Sequence, residues 1–325
     1  MIPLKLKAGD EIRVISPATS LHVITPDQRR LANERLADLG LTVTYSAHAE
    51  ECDEFSSSSV ESRVADLHEA FADPNVKAIL TTLGGFNSNQ MLQYLDYELI
   101  AWNPKIFCGY SDITAIATAI TVKTGLITYS GPHYSTFSME KGFEYTLDYF
   151  RKCFFSEEPI DVTPSPYWSD DQWYLNQVNR TFIENDGYTV LREGHAVGKI
   201  IGGNLCTLNL LQGTAYMPSL EDAVVLVEDD NYSNPHIFDR DLQSLLHQPG
   251  FDKVKALLIG RFQNASGVTD AALDKIIRSK RELDHIPVVT NVNFGHVSPI
   301  ITFPIGGTIA VKAENGQVTI QIQKH

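Results

Sequence analysis

Three side chains, far apart in the chain, have the types that acyl-transfer chemistry needs. Ser111 stands in Ile106-Phe-Cys-Gly-Tyr-Ser111-Asp112-Ile113, where an apolar run breaks at Gly109 and an Ala/Ile/Thr segment with helical spacing begins. A strand-to-helix turn projects its middle side chain off the sheet, and the helix start behind it offers unpaired N–H groups. That is the mechanical logic of a nucleophile elbow, although the residues do not spell G-x-S-x-G. Ser111-Asp112 also reads as an ordinary helix N-cap. A serine hydroxyl attacks a carbonyl only when a base takes its proton, and the base needs an orienting partner. Of the ten histidines, His296 is the candidate base. It ends Pro287-Val-Val-Thr-Asn-Val-Asn-Phe-Gly-His296, a strand running into a glycine, with Pro299 just beyond. The plain alternative is a surface histidine on a loop. Glu228 is the candidate acid, at the end of the apolar run Ala223–Val227 and beside Asp229 and Asp230. Its alternative is a cluster of acids on a solvated loop.

These residues need elements to hold them. Glu11–Ser16, Leu41–Tyr45, Val76–Thr82 and Lys105–Tyr110 read as strands. Between and after them, Pro26–Leu39, Ser62–Ala72, a helix starting at Asn89–Leu95, and Ile113–Val122 have helical spacing. This alternation predicts a parallel sheet with helices on both faces, which binds ligands beyond the carboxyl ends of its strands. Gly84-Gly85 and Ser111 both follow strands, so the expectation is that they share that edge. Residues 156–187 change character: Pro159, Pro164 and Pro166 cluster before Tyr167-Trp168-Ser169-Asp170-Asp171-Gln172-Trp173-Tyr174, which predicts a linker and long loop. The second half is richer in strands, with Tyr188–Leu191, His195–Ile201, Ala223–Val227, Ala256–Gly260, Val288–Val292, Thr308–Val311 and Val318–Gln323, and with helices at Asp239–Gln248 and Asp270–Arg281. The expected organisation is an α/β domain over 1–155 carrying the nucleophile, a linker over 156–187, and a β-rich mixed domain over 188–325 carrying the acid and the base.

Composition narrows the partners. Lys and Arg number 26 against 40 Asp and Glu, a net charge of −14, which repels phosphate backbones and argues against a nucleic-acid partner. No apolar run approaches the roughly 20 residues that span a bilayer. The start, Met1-Ile-Pro-Leu-Lys-Leu-Lys, lacks a basic-then-apolar signal, so a cytoplasmic location is expected. The four cysteines have no C-x-x-C spacing and the histidines no H-E-x-x-H spacing. No metal and no cofactor is expected.

Five separated stretches carry a resemblance. Gly84-Gly85, Gly109-Tyr-Ser-Asp-Ile-Thr114, Gly198-Lys-Ile-Ile-Gly-Gly-Asn204, Val227-Glu-Asp229 and Asn293-Phe-Gly-His296 resemble, in order and spacing, the LD-carboxypeptidase family of serine peptidases. The resemblance covers nearly the whole chain. It implies a flavodoxin-like or amidotransferase-like N-terminal domain, a β-rich C-terminal domain, and a Ser-Glu-His triad built across the two. Ser111 is then the nucleophile, Glu228 the orienting acid and His296 the base. The N–H groups of Gly85 and Asp112 form the oxyanion hole, and Gly84, Asn87, Ser88 and Asn204 are substrate contacts. A homodimer is also implied. Gly84-Gly-Phe-Asn-Ser-Asn-Gln90 and the Trp-containing insertion resemble the branch of the family that gives immunity to microcin C. That branch hydrolyses the bond between an acidic aminoacyl group and a nucleotide-like leaving group. The resemblance assigns no tryptophan; Trp168 and Trp173, in the polar segment between the two halves, are candidates to stack on such a group, the alternative being that both pin the loop to the domain surface. The runner-up activity is removal of the terminal D-amino acid from murein tetrapeptides.

Two rival classes remain at this level. One is a cysteine hydrolase with Cys108 as nucleophile, although Cys108 lies inside the expected strand, three residues before the turn. The other is a small-ligand-binding module whose two domains clamp their ligand. With His296 as base, activity is expected to fall in acid around roughly pH 6–7.

Overall fold

The first sheet is assembled from both ends of the chain. In this computed structural model, which describes all 325 residues, its spatial order is Phe303–Ile305, Thr128–Ser130, Ile106–Cys108, Val76–Thr81, Glu11–Ile15, Thr42–Tyr45. All its pairings are parallel except at one edge, where Phe303–Ile305 runs antiparallel to Thr128–Ser130. The second sheet has eight strands. At its centre Gly194–Asn204, Ala223–Glu228, Ala256–Gly260 and Val288–Val292 run parallel. Antiparallel strands flank them, including Thr308–Glu314 and Gln317–Lys324 on one side and Thr189–Arg192 on the other. The α/β first half and the mixed, β-rich second half are as the sequence predicts. One continuous cluster of 84 buried hydrophobic residues runs through both, so the two sheets share a core.

Several elements differ from expectation for local reasons. The strand expected over Lys105–Tyr110 is only Ile106–Cys108, and the chain turns at Gly109. The helix expected from Asn89 is a 3-10 segment, Ser88–Tyr94. A separate short helix, Tyr97–Trp102, starts behind it with the Asp96 side chain accepting from Leu99 N–H. Residues 156–187 are not a bare linker. Ile160–Val162 joins the edge of the second sheet against Gln317–Lys324, and Tyr167–Trp168 pairs with Ile183–Glu184.

The helix Thr114–Thr124 is the axle of the molecule. Thr114 to Thr121 are all buried, which explains its Ala/Ile/Thr composition: it has no solvent face to make polar. It also packs close to the second sheet. A Cβ on Gly203 would sit 2.5 Å from Thr114 Oγ1, so only a glycine lets the strand end pass the helix start. That approach brings Asn204 N–H within 3.0 Å of Thr114 Oγ1. No helix is long and apolar enough to cross a membrane.

Candidate active site

Ser111 occupies the turn between Ile106–Cys108 and the axial helix. Its φ is +61°, a conformation costly for a side-chain-bearing residue and found mostly where a fold holds it for a purpose. The Gly84-Gly85 turn packs on it: a Cβ on Gly84 would lie 3.1 Å from Ser111 Oγ and 3.6 Å from Asp112 N. The Asp112 carboxylate is committed to the backbone of the Asn87–Ser88 loop. It is buried and accepts the N–H groups of Asn87 at 3.1 Å and Ser88 at 2.9 Å. Burial raises its pKa, and these bonds pull it back part of the way.

The two loop residues from the second half arrive at the same point. His296 Nε2 lies 3.0 Å from Ser111 Oγ, across 185 residues of sequence. His296 Nδ1 lies 2.7 Å from Glu228 Oε2. With the ring proton on Nδ1 and donated to Glu228, Nε2 is free to accept the serine hydroxyl. Glu228 is 3% exposed, at the end of its strand. Burial opposes a charged imidazole at His296. The Glu228 carboxylate, with Asp230 and Asp229 behind it, outweighs that and holds the His296 pKa above its ordinary value.

The remaining expected residues have protein partners. Ser88 is fully buried and donates its hydroxyl to the Asp112 carbonyl at 2.7 Å. The Asn87 amide oxygen accepts from Arg63. Asn204 caps the short helix Leu205–Asn209 through Thr207 N–H and donates Nδ2 to Asp229 at 3.2 Å. Trp168 lies under the Arg261 guanidinium, 4.8 Å from carbon to ring centroid, and is half-buried. The next residue, Ser169, exchanges both backbone hydrogen bonds with Ser298, two residues past His296. Trp173 packs against the hydrophobic core and meets Tyr174 edge to face. Cys108 is fully buried, and burial pushes its thiol pKa well up, so it is no nucleophile.

Four residues to which the sequence assigned no role lie at this centre or directly behind it. Tyr110 stacks on His133 at 4.3 Å and meets His296 edge-on at 5.4 Å. His133 is buried, bonded through Nδ1 to Thr81 Oγ1, and burial drives its pKa down to about 3, so it is a neutral wall. It follows Thr128–Ser130, the fifth strand in chain order, which the sequence pattern did not reveal; the apolar Leu126-Ile127 before it is the local signal for that strand. Asp229 is 3% exposed, and burial with the neighbouring Glu228 charge raises its pKa to about 7. Arg63 reaches the site from an early helix, and nothing local in the sequence marks it. Beside the turn lies a cleft of about 440 Å³ lined by Gly85, Phe86, Asn87, Arg63 and Phe55 among others.

A strained serine, an imidazole and a carboxylate in series, on an α/β scaffold, belong to the class of serine peptidase-type hydrolases. Residues 12–131 match the LD-carboxypeptidase N-terminal domain and residues 197–311 the LD-carboxypeptidase C-terminal domain. The chain belongs to the LD-carboxypeptidase family of serine peptidases. It is 58% identical over 325 residues, all of both chains, to YocD of Bacillus subtilis, a protein with a carboxypeptidase name. Its fold superposes on the crystal structure of an MccF-like protein from Bacillus anthracis with a TM-score of 0.99, at 57% identity and full coverage of both chains. It also superposes on the microcin C7 self-immunity protein MccF in complex with aspartyl sulfamoyl adenosine, with a TM-score of 0.90 at 28% identity, covering 100% of this chain and 99% of that one; MccF is an Escherichia coli protein.

Proposed function

We propose that Ser111, His296 and Glu228 act as a catalytic triad that hydrolyses the amide-type bond joining an acidic aminoacyl group to a nucleotide-like leaving group. The observation that carries the mechanism is the pair of contacts on one imidazole, 3.0 Å to Ser111 Oγ and 2.7 Å to Glu228. His296 Nε2 takes the hydroxyl proton as Ser111 Oγ attacks the carbonyl carbon. The oxyanion falls to the N–H groups of Gly85 and Asp112. His296 then returns the proton to the departing nitrogen, and the acyl group stays on Ser111. Water repeats the sequence from the other side: its proton goes to His296, its oxygen to the acyl carbon, and Ser111 leaves with a proton. Glu228 keeps the imidazole in one tautomer and stabilises its charged form in both halves.

The substrate class is supported by likeness to MccF, whose complex holds an aspartyl sulfamoyl nucleoside. A second reading, cleavage of the L,D-linked terminal residue of murein tetrapeptides, is supported by the family to which both halves of the chain belong. A paired assay decides between them. Purified protein is given aspartyl sulfamoyl adenosine and a murein tetrapeptide, and kcat/KM is compared. Turnover of the tetrapeptide alone overturns the first reading.

A further inference from the structure

The turn that carries Gly84-Gly85 is gripped by two buried charges that never meet. Arg63, near the start of the helix Val60–Ala72, is 2% exposed. Its hydrogen bonds go to carbonyl-type oxygens and none to a carboxylate: Nη1 to Asn87 O at 3.0 Å, Asn87 Oδ1 at 3.1 Å and Pro17 O at 3.2 Å, Nη2 to Gln90 Oε1 at 2.7 Å, and Nε to Ser59 O at 3.3 Å. Asp112, 4% exposed, takes the N–H groups of Asn87 and Ser88. The single peptide unit joining Asn87 to Ser88 therefore has its C=O on a buried cation and its N–H on a buried anion.

A buried charge without a partner is costly, and here each is compensated through the loop's own dipoles. The loop cannot leave without stranding both charges. The grip extends further. Arg63 also holds Pro17 O, while Thr19 N–H, two residues on, donates to Gly84 O at 3.1 Å. Three segments, Pro17–Thr19, Gly84–Gln90 and the elbow, are thus fixed relative to one another. An oxyanion donor is effective only if it is already in place when charge develops.

We infer that Arg63 is a positioning residue for the reaction: opposite Asp112, it locks the Asn87–Ser88 peptide and so holds the Gly84-Gly85 turn against Ser111. The inference rests on the oxyanion-hole reading above. Arg63 is 2% exposed at the floor of the cleft and its hydrogen bonds all go to protein, so its effect falls on the rate of the chemical step rather than on ground-state binding.

The test compares Arg63→Met, which keeps much of the volume and removes the charge, with Arg63→Lys and with Asp112→Asn, which neutralises the opposite end of the same peptide. Loss of the donor geometry is expected to lower kcat by about 10²–10³, the effect of losing an oxyanion donor, with KM changed by less than about threefold. Arg63→Lys recovers at least about tenfold of that. A peptide aldehyde or boronate that adds to Ser111 bears the oxyanion in its adduct, so its affinity falls in step with kcat/KM. The Kd of intact substrate, measured on Ser111→Ala carrying the same substitution, stays level. Arg63→Met with near-wild-type kcat overturns the inference. So does a parallel fall of kcat, substrate affinity and Tm without recovery by lysine, which marks a purely structural role. Should Arg63→Met fail to fold, Arg63→Gln and Arg63→Lys carry the test: a kcat-selective loss in Arg63→Gln, with partial recovery in Arg63→Lys, supports the inference, and near-wild-type kcat in Arg63→Gln overturns it. A wild-type protein that neither turns substrate over nor forms a Ser111 adduct with a fluorophosphonate overturns the triad reading itself, and this inference with it.

Discussion

Gly295 gives Glu228 the room it occupies. A Cβ at position 295 would lie 2.7 Å from Glu228 Oε2, the oxygen that meets His296, and the backbone there has φ +106°. The glycine one residue before the imidazole thus sets the seat of the carboxylate that orients it. Gly295→Ala meets both a backbone penalty of about 1–3 kcal/mol and a clash with Glu228. Displacing the acid by a fraction of an ångström misaligns the ring, so kcat is expected to fall by about 10²-fold while the fold survives. Steady-state kinetics with circular dichroism check it; an active, well-folded Gly295→Ala means that Glu228 does not need its observed position.

The three proposed triad residues should fail as a unit. Ser111→Ala, His296→Ala and Glu228→Ala are each expected to cost about 10⁴ or more in kcat, and the Ser111→Ala/His296→Ala pair hardly more than either alone. The motivation is the unbroken contact series through one ring. Purified Ser111→Ala with near-wild-type turnover would remove the mechanism altogether.

How much of this was legible in the sequence depends on the range of the signal. Ser111 announced itself because Gly109 ends the strand and a helix with no Gly or Pro begins at once. Glu228 and His296 were readable as strand-end residues, and the family resemblance joined them to Ser111. What stayed hidden is pairing across long stretches of chain. Nothing near Phe303–Ile305 says that it closes the first sheet beside Thr128–Ser130, and nothing near Ile160–Val162 says that it edges the second. Strand partnership is a tertiary fact, written in packing rather than in local pattern. The same holds for Arg63, an unremarkable helical arginine until the loop at Asn87 is folded onto it. Asn87 and Ser88 were expected as substrate contacts; in the fold the Asn87 amide oxygen and backbone and the Ser88 N–H and hydroxyl bond to Arg63 and Asp112.

The pH dependence follows from the direction of the His296 shift. Neutral His296 is the proposed base, and Glu228 with Asp230 and Asp229 raises its pKa despite burial. The acid limb of kcat/KM is therefore expected above the ordinary histidine value of about 6.5 rather than at it. The stability contribution runs the other way. A raised folded pKa means that the charged His296–Glu228 pair stabilises the fold below the unfolded pKa, and that this fades as pH rises through the folded value. Activity should thus grow over the window in which that contribution is lost. Asp229, pushed to about 7 by burial and by Glu228, titrates in the same window; Asp229→Asn removes that second titration and, with one fewer negative charge near the ring, should move the histidine step slightly to lower pH. In Glu228→Gln the limb should move to lower pH, on a much reduced rate. A limb that stays put in Glu228→Gln would mean that the titrating group is not His296.

The two tryptophans of the insertion are expected to part company. Trp173 packs on the core, so Trp173→Ala should act as a large-to-small core change and lower stability, with a loss of the order of 3 kcal/mol or somewhat less because it is only part-buried. Trp168 is different. It is half-buried, one face lies under Arg261, and the residue after it is paired with Ser298 on the His296 loop. That pairing ties its position to the loop that carries the base. Trp168 does not line the cleft at Gly85–Asn87; a flat leaving group that extends from Ser111 along the His296 loop would meet an indole already held by a guanidinium, and aromatic stacking of this kind is worth about 1–3 kcal/mol per base in nucleic-acid complexes. Trp168→Ala is therefore expected to raise KM for aspartyl sulfamoyl adenosine by about tenfold or more, while leaving a small amide substrate without a base untouched. Trp168→Phe, which keeps a ring, should lose less. Equal losses on both substrates would assign Trp168 to holding the His296 loop through Ser169 and Ser298, and would favour the murein peptide over the nucleotide-like leaving group.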